Sequence, residues 1–195
     1  MLNVGIYIYE NAEVLDFSGP FEVFSTASRL TNSDEAFNVF LVAETKYPVT
    51  ARGNYSINPH YGFSNHPNID VLIIVGGIHT EELKKPQVIN WVTQAAKDAQ
   101  LVASVCTGAF ILAEAGLLSD LKATTHWEDI DNLKNSYSSL IVVSSQRWVD
   151  EGKFVTSGGI SAGIDMSLHL VSRLSSLALA EKTARQMEFE WCKNS

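Results

Sequence analysis

The chain has few cysteines, a deficit of basic residues and no long apolar run. Only Cys106 and Cys192 occur among 195 residues, which is too few for a disulfide framework and fits a reducing compartment. Lysine and arginine number 14 against 22 aspartate and glutamate residues, giving a formal net charge of −8. A nucleic-acid-binding domain needs a basic face, so this balance argues against nucleic acid as a partner.

Signals for membrane insertion, export and metal or nucleotide binding are also lacking. No apolar stretch approaches the roughly 20 residues that span a bilayer, so no membrane partner is expected. The start of the chain, Met1 to Val4, has no basic region of a signal peptide, and the expected location is the cytoplasm. His60, His66 and His169 show no metal-ligand spacing, and no zinc signature, P-loop or G-x-G-x-x-G motif occurs, so neither metal nor cofactor is expected.

Apolar strands alternate with amphipathic helices along the whole chain. The sequence is 46% hydrophobic and has no repeat or linker, so residues 1–195 are predicted to form one domain. Continuous apolar strands between helices predict an α/β fold with a mostly parallel central sheet and helices on both faces. The predicted strands are 4–9, 39–43, 71–75, 101–105 and 140–143, with a hairpin at 148–156; the predicted helices begin near Pro20 and cover 86–99, 106–115, 163–174 and 178–191.

Cys106 is the leading candidate for a functional residue. It follows the apolar strand 101–105 and precedes Thr107, Gly108 and a helical pattern, so its side chain is expected at an abrupt strand-to-helix turn. Amides that open a helix favour negative charge, which predicts a thiol pKa below the ordinary value and a reactive thiolate. The alternative is a free cysteine that only fills the core.

Two other segments are expected to meet Cys106 at the carboxyl edge of the sheet. Gly76, Gly77 and Ile78 follow a buried strand, and their amides could stabilise a developing anion, although a tight turn alone also explains the glycines. Asp16 lies among apolar residues. Its pKa is therefore expected to be raised, which suits a proton donor or shuttle; the alternative is a helix N-cap.

Motifs over nearly the whole chain resemble the ThiJ/PfpI superfamily, which has a class I glutamine amidotransferase-like, flavodoxin-type fold. The strand with its Gly-Gly ending (71–77) and the Val-Ala-Ser-Val-Cys-Thr-Gly-Ala elbow (102–109) carry this resemblance. Segments 16–24, 123–127 and 156–165 resemble a narrower branch, which contains isocyanide hydratases and the domains fused to AraC-type regulators. The elbow and the Asp-x-x-Gly-Pro segment are specific in combination.

The resemblance implies a flavodoxin-like three-layer sandwich and a set of site residues. Cys106 matches the nucleophile, and Asp16 matches the acid that contacts it. Gly77 and Ile78 match the loop whose amides face the cysteine, and Thr107 matches the residue after it, where protease-like members carry histidine. A homodimer is also implied, with segment 16–24 near the interface, although its phenylalanines could equally face the core. A chain that stops about two helices after the sheet is expected to lack a DNA-binding module.

The roles of the remaining polar residues are less defined by pattern. His126 could form a Cys–His dyad, but the resemblance favours a structural role or one supporting the catalytic groups. His79 could line the pocket or face solvent. Glu22 is a fallback carboxylate on an expected solvated or interface face, and the helix dipole explains Asp165.

Two functions follow from the resemblance. In the first, a hydratase similar to isocyanide hydratase adds water to an isocyanide and yields an N-substituted formamide; the Cys106 thiolate attacks the carbon, and Asp16 supplies or positions a proton. In the second, a ligand- or redox-sensing module uses Cys106 as an oxidisable group or as pocket wall. A glyoxalase-like or chaperone-like activity is a weaker third. Asp rather than Glu at position 16, together with Cys-Thr-Gly, favours the hydratase.

Overall fold

The apolar strands assemble into one large sheet, as their pattern predicts. The computed structural model describes residues 1–31 and 37–194. Its strands are β1 (Leu2–Tyr7), β2 (Phe37–Ala43), β3 (Val49–Ala51), β4 (Tyr55–Ile57), β5 (Tyr61–Gly62), β6 (Val71–Ile74), β7 (Leu101–Val105), β8 (Lys122–Ala123), β9 (Ile141–Val142), β10 (Trp148–Glu151) and β11 (Phe154–Ser157). Within the described residues the central sheet has the order β10-β11-β7-β6-β1-β2-β5. All its pairs are parallel except β10 with β11.

Helices cover the sheet and complete a three-layer α/β sandwich, which confirms the predicted fold class. They are α1 (Val14–Leu30), α2 (Pro86–Asp98), α3 (Gly108–Glu114), α4 (Ile130–Ser136), α5 (Ala162–Leu174) and α6 (Leu177–Gln186). Helices α1, α5 and α6 pack against one another, while α2 contacts α3, which in turn contacts β6 and β7. Across the two described ranges, no helix combines the length and apolarity needed to cross a membrane.

Helix α1 begins earlier than the position of its proline suggests. The sequence places Pro20 near the helix start, but the helix begins at Val14 and Pro20 lies inside it. Proline has no amide hydrogen, so the carbonyl of Asp16, four residues earlier, receives no helical bond from it. Asp16 lies in the first helical turn and not at the N-cap, which is Glu13. Phe17 belongs to the buried core.

The aromatic residues of α1 differ in whether they face the core. Phe24 is fully buried and packs edge-on against Phe37, with ring centroids 5.0 Å apart. Phe21 is partly buried and stacks on His60. Phe17 and Phe24 therefore face the core, whereas Phe21 stays partly exposed.

Two other elements differ from their predicted extents. The strand predicted at 140–143 is present as β9, but it pairs with β8 outside the central sheet. Helix α6 ends at Gln186 and not at Trp191, because Glu188 adopts a left-handed φ of 50°. The segment that follows returns to α5, where the Cys192 amide donates to Asp165 Oδ1 at 2.8 Å.

Candidate active site

Cys106 occupies the abrupt turn between β7 and α3 that the sequence predicts. Its φ is 55°, a left-handed value that residues with side chains seldom adopt and that functional sites often contain. The turn is held from two sides. The Cys106 amide donates to the Gly158 carbonyl at 3.2 Å, and the Thr125 hydroxyl donates to the Cys106 carbonyl at 2.8 Å. Thr125 was not singled out from the sequence, although it lies in the 123–127 segment that carries the resemblance.

Asp16 and Cys106 can lie close together because Gly76, which lies between them, has no side chain. The Gly76 amide donates to Asp16 Oδ2 at 3.0 Å. A Cβ added at Gly76 would lie 2.7 Å from both Asp16 Oδ2 and Cys106 Cβ, and 2.6 Å from the Thr107 amide nitrogen. Real Cβ contacts are not this short, so only glycine permits these three groups to converge.

Asp16 is a fully buried carboxyl group. Burial raises its pKa to about 7, the Gly76 hydrogen bond opposes this rise, and Glu13 adds to it. The Ile160 amide and the Cys106 thiol also face the carboxyl group and lower its pKa. Within the described residues, however, no group makes a hydrogen bond of ordinary geometry to Oδ1. The raised pKa expected from the apolar sequence around Asp16 is confirmed.

The pKa of Cys106 moves in the opposite direction from the sequence-based prediction, which is wrong. Burial and, next, the charge of Asp16 raise the pKa of the thiol to about 12, and the Thr107 amide offsets only part of this rise. Helix α3 has only seven residues, and its amides do not outweigh desolvation and a neighbouring carboxylate. Above a pH of about 7, Asp16 and Cys106 therefore hold one negative charge between them. Transfer of the thiol proton to Asp16 would give a thiolate at Cys106.

Asp16→Asn should stabilise the fold, with a benefit that grows as the pH rises. The folded carboxyl has a pKa of about 7 against an ordinary 3.8. The stability contributed by its protonated form is complete below pH 3.8 and is lost as the pH rises to 7, a loss of about 4 kcal/mol. Urea unfolding should therefore show a larger advantage of the variant at pH 8 than at pH 5. An advantage that does not change with pH would contradict the raised pKa.

The Gly76–Ile78 loop contributes surface to the site, but its amides are already bonded. The Gly77 amide pairs with the Thr107 hydroxyl at 3.0 Å, and the Ile78 amide donates to the Asn11 carbonyl at 3.1 Å. Gly77 has a φ of 139°, which favours glycine. These amides could stabilise an anion at Cys106 only by exchanging the bonds they make, so that assignment stays a prediction.

A cavity of about 290 Å³ opens beside the Cys106 thiol. Its volume is near the lower end of the range for small-molecule sites. Asp16 lies behind the wall and not in it. Arg52, Glu128 and Asp129 were not recognised from the sequence, because nothing in their local pattern points to a pocket. The cavity is lined by Glu13, Arg52, Gly77, Ile78, His79, Thr80, Cys106, Thr107, His126, Glu128, Asp129 and Ile160.

Both candidate histidines lie in the cavity wall. His79 is buried against Phe110, with ring centroids 4.4 Å apart, and burial lowers its pKa. The Nδ1 atom of His126 lies 3.7 Å from a Glu128 carboxylate oxygen and 3.8 Å from one of Asp129. In the described part of the chain, neither histidine is hydrogen-bonded to Cys106. A Cys–His dyad is therefore not formed in this structure.

Other sequence candidates lie away from the cavity or serve other purposes. Glu22 is on the exposed side of α1, where it contacts Arg29 at 3.2 Å and Thr26 at 2.9 Å. It is not a substitute for Asp16. No cluster of three or more histidine, cysteine or acidic side chains in residues 1–31 and 37–194 is arranged to hold a metal ion.

Comparison with known proteins places this geometry in a family. Isonitrile hydratase of Pseudomonas putida is 31% identical over 189 residues, covering 96% of this chain and 78% of that protein. The HTH-type transcriptional regulator GbdR of Pseudomonas aeruginosa is 24% identical over 192 residues, covering 98% of this chain and 52% of the regulator. The chain thus spans about half the length of this regulator.

Fold similarity and a family profile agree with these relatives. A ThiJ/PfpI family protein from Pseudomonas syringae superposes with a TM-score of 0.87 at 26% identity, covering 98% of this chain and 76% of that one. The profile of the DJ-1/PfpI family matches residues 3–173. This chain belongs to the DJ-1/PfpI family.

Proposed function

We propose that this protein hydrates isocyanides to N-substituted formamides through covalent catalysis by Cys106. The observation that carries the proposal is the convergence of a buried Asp16 and the Cys106 thiol at Gly76, next to a small cavity. The 31% identity to isonitrile hydratase supports the same chemistry. Each residue of the pair then has a distinct role: Cys106 is the nucleophile, and Asp16 carries the proton.

The shared proton of this pair fits addition to an isocyanide. With the proton on Asp16, the Cys106 thiolate attacks the terminal carbon of R–N≡C and forms a carbon–sulfur bond. The carbon then takes the proton from Asp16, which gives the thioimidate Cys106–S–CH=N–R. The Asp16 carboxylate is left ionised and ready to accept a proton from water.

Hydrolysis of the thioimidate completes the cycle. Water adds across the C=N bond; its oxygen bonds to carbon, one of its protons goes to nitrogen and the carbon–sulfur bond breaks. The second proton returns to the Asp16–Cys106 pair, and R–NH–CHO leaves. No amine is expelled, so the reaction requires no histidine as general acid beside the thiol. Among the described residues, neither His79 nor His126 is hydrogen-bonded to Cys106, which agrees with this mechanism.

The direct test is consumption of an isocyanide by the purified protein. Cyclohexyl and phenyl isocyanide would be incubated with the native and the heat-denatured protein, and products would be quantified by mass spectrometry. Formation of one formamide per isocyanide lost, by the native protein alone, is the expected result. Loss of neither compound would remove the main support for the hydratase.

A ligand-sensing module is the second candidate. It is favoured by the match to the regulator GbdR over nearly the whole of this chain. Cys106 would then line the pocket without forming a covalent intermediate. An isocyanide that raises the melting temperature without being consumed would support this alternative, and turnover would argue against it. A homodimer also stays a proposal, whose measurement is light scattering at micromolar concentration.

A further inference from the structure

Asp165 is a buried carboxylate that the proposed chemistry does not use. It lies in the first turn of α5 and is fully buried. The helix dipole, which the sequence suggests as the reason for Asp165, is not a complete explanation. Each oxygen of its carboxylate has a specific hydrogen-bond donor. The Arg147 Nε donates to Oδ2 at 2.6 Å, and the Cys192 amide donates to Oδ1 at 2.8 Å. Burying a carboxylate costs several kcal/mol unless it is paired in this way.

Arg147 connects Asp165 to the turn that carries Gly158 and Ser161. Its main-chain carbonyl accepts a bond from the Gly158 amide at 2.9 Å, while its guanidinium donates to the Ser161 hydroxyl at 3.3 Å. The Gly158 carbonyl in turn accepts the bond from the Cys106 amide. One arginine therefore holds both ends of a four-residue turn whose first residue is bonded to the nucleophile.

The centre of this turn has an unfavourable backbone conformation. Ile160 has a φ of 54°, a left-handed value that costs energy for a β-branched residue and persists only where its surroundings impose it. Its side chain lines the cavity, and its amide faces the carboxyl group of Asp16. The contacts of Arg147 flank Ile160 and supply the restraint.

We propose that Arg147 and Asp165 are positioning residues of the active site, which act through the Gly158–Ser161 turn on Cys106 and Asp16. The C-terminal segment completes the arrangement, because the Trp191 indole donates to the Asp165 carbonyl at 3.1 Å and Cys192 bonds its side chain. Any effect of Arg147 and Asp165 on the rate of isocyanide hydration rests on the proposed function. Their effect on the reactivity of the Cys106 thiol does not.

The test is the pH dependence of Cys106 alkylation by iodoacetamide in the full chain. Mass spectrometry of the Cys106 peptide separates this reaction from that of the exposed Cys192. Arg147→Ala keeps the main-chain bond to Gly158 but frees Ser161, so the Ile160 amide should move away from the Asp16 carboxylate. A carboxylate that loses a donor has a higher pKa. The midpoint of the alkylation profile should therefore shift upward, by about half a pH unit or more.

Other charged groups near Asp16 stay the same in this comparison. Glu13 at the N-cap of α1, Tyr9 after β1 and Asp129 before α4 act on Asp16 or Cys106 or are influenced by them, and none of these residues is changed. Arg173→Ala is the matched control. Arg173 lies on the same helix, α5, and donates to Asp150 at 2.9 and 3.0 Å, so its loss removes a similar ion pair without contacting the turn. The control midpoint should equal that of the wild type.

Asp165→Asn is a second variant, which tests the proposal if Arg147→Ala does not fold. Asparagine keeps the shape and can still accept the Cys192 amide, and the expected midpoint shift has the same sign. The proposal would be overturned if the midpoint of Cys106 alkylation in both Arg147→Ala and Asp165→Asn equalled the midpoint in Arg173→Ala. If isocyanides are not consumed while the midpoint shifts, the proposed function fails and the positioning role stands. If isocyanides are consumed and the midpoint is unchanged, the proposed function stands and the positioning role fails.

Discussion

Replacement of Cys106 by alanine should abolish isocyanide hydration, with kcat/KM falling at least about 10³-fold, because no thioimidate can form. The thiol lies at the cavity wall and has no equivalent neighbour among the lining residues. Alanine fits the same left-handed turn no worse than cysteine, so the fold should be retained. The measurement is initial-rate kinetics with cyclohexyl isocyanide, accompanied by thermal unfolding.

Cys192→Ala is the matched control for this variant. Cys192 is exposed and contacts Asp165 through its main-chain amide, which alanine preserves. Its kcat/KM should stay within about twofold of the wild type, as for surface substitutions away from a site. A folded Cys106→Ala protein that retains a tenth of the wild-type rate would contradict covalent catalysis.

Asp16→Asn should lower kcat by about 10²-fold or more, since loss of a positioned general acid–base group typically has an effect of this size. The pH profile should also change. Below the pKa of about 7, both members of the pair are protonated and no anion is available. Wild-type activity should therefore rise with pH through about 7, as one proton leaves the pair. Asparagine cannot ionise, so this rise should disappear in the variant.

Glu22→Gln is the control for the charge of α1. Glu22 lies on the same helix, exposed and paired with Arg29, and its substitution should leave both kcat and the pH profile unchanged. His126→Ala should cost far less than Asp16→Asn. A folded His126→Ala protein without activity, together with an active Asp16→Asn protein, would instead identify a Cys–His mechanism and contradict the role given to Asp16.

The layered fold and the elbow were predictable because their signals are local. Strand β6 is a continuous apolar run, β7 is apolar except for Ser104, and small residues that mark a turn follow each strand. A parallel sheet brings such ends to one edge. The same reasoning brought Asp16, which follows the first strand and its loop, to this edge, although the start of its helix was misjudged. The direct contact between Asp16 and Cys106 was implied only by the family resemblance. Pro20 is typical of a first turn, but here the packing of Phe17 and Phe24 in the core holds the helix from Val14 onward.

The electrostatics of the site depend on contacts that no local pattern records. The pKa of Cys106 was predicted from the helix that follows it, yet burial and the charge of Asp16 decide its direction. Arg52 reaches the cavity from the turn between β3 and β4, and Glu128 and Asp129 reach it from the turn before α4. The bonds of Asp165 depend on a C-terminal segment that was predicted as helix. In each case the partner is distant in sequence, and only the folded chain identifies it.

The most direct test of covalent catalysis is mass spectrometry of the protein quenched during turnover. Acid quenching with cyclohexyl isocyanide in excess should trap a thioimidate. The mass of the Cys106 peptide should then increase by the mass of one isocyanide, and the adduct should disappear when the isocyanide is exhausted. Formamide production without any adduct on Cys106, or with the adduct only on Cys192, would contradict the account.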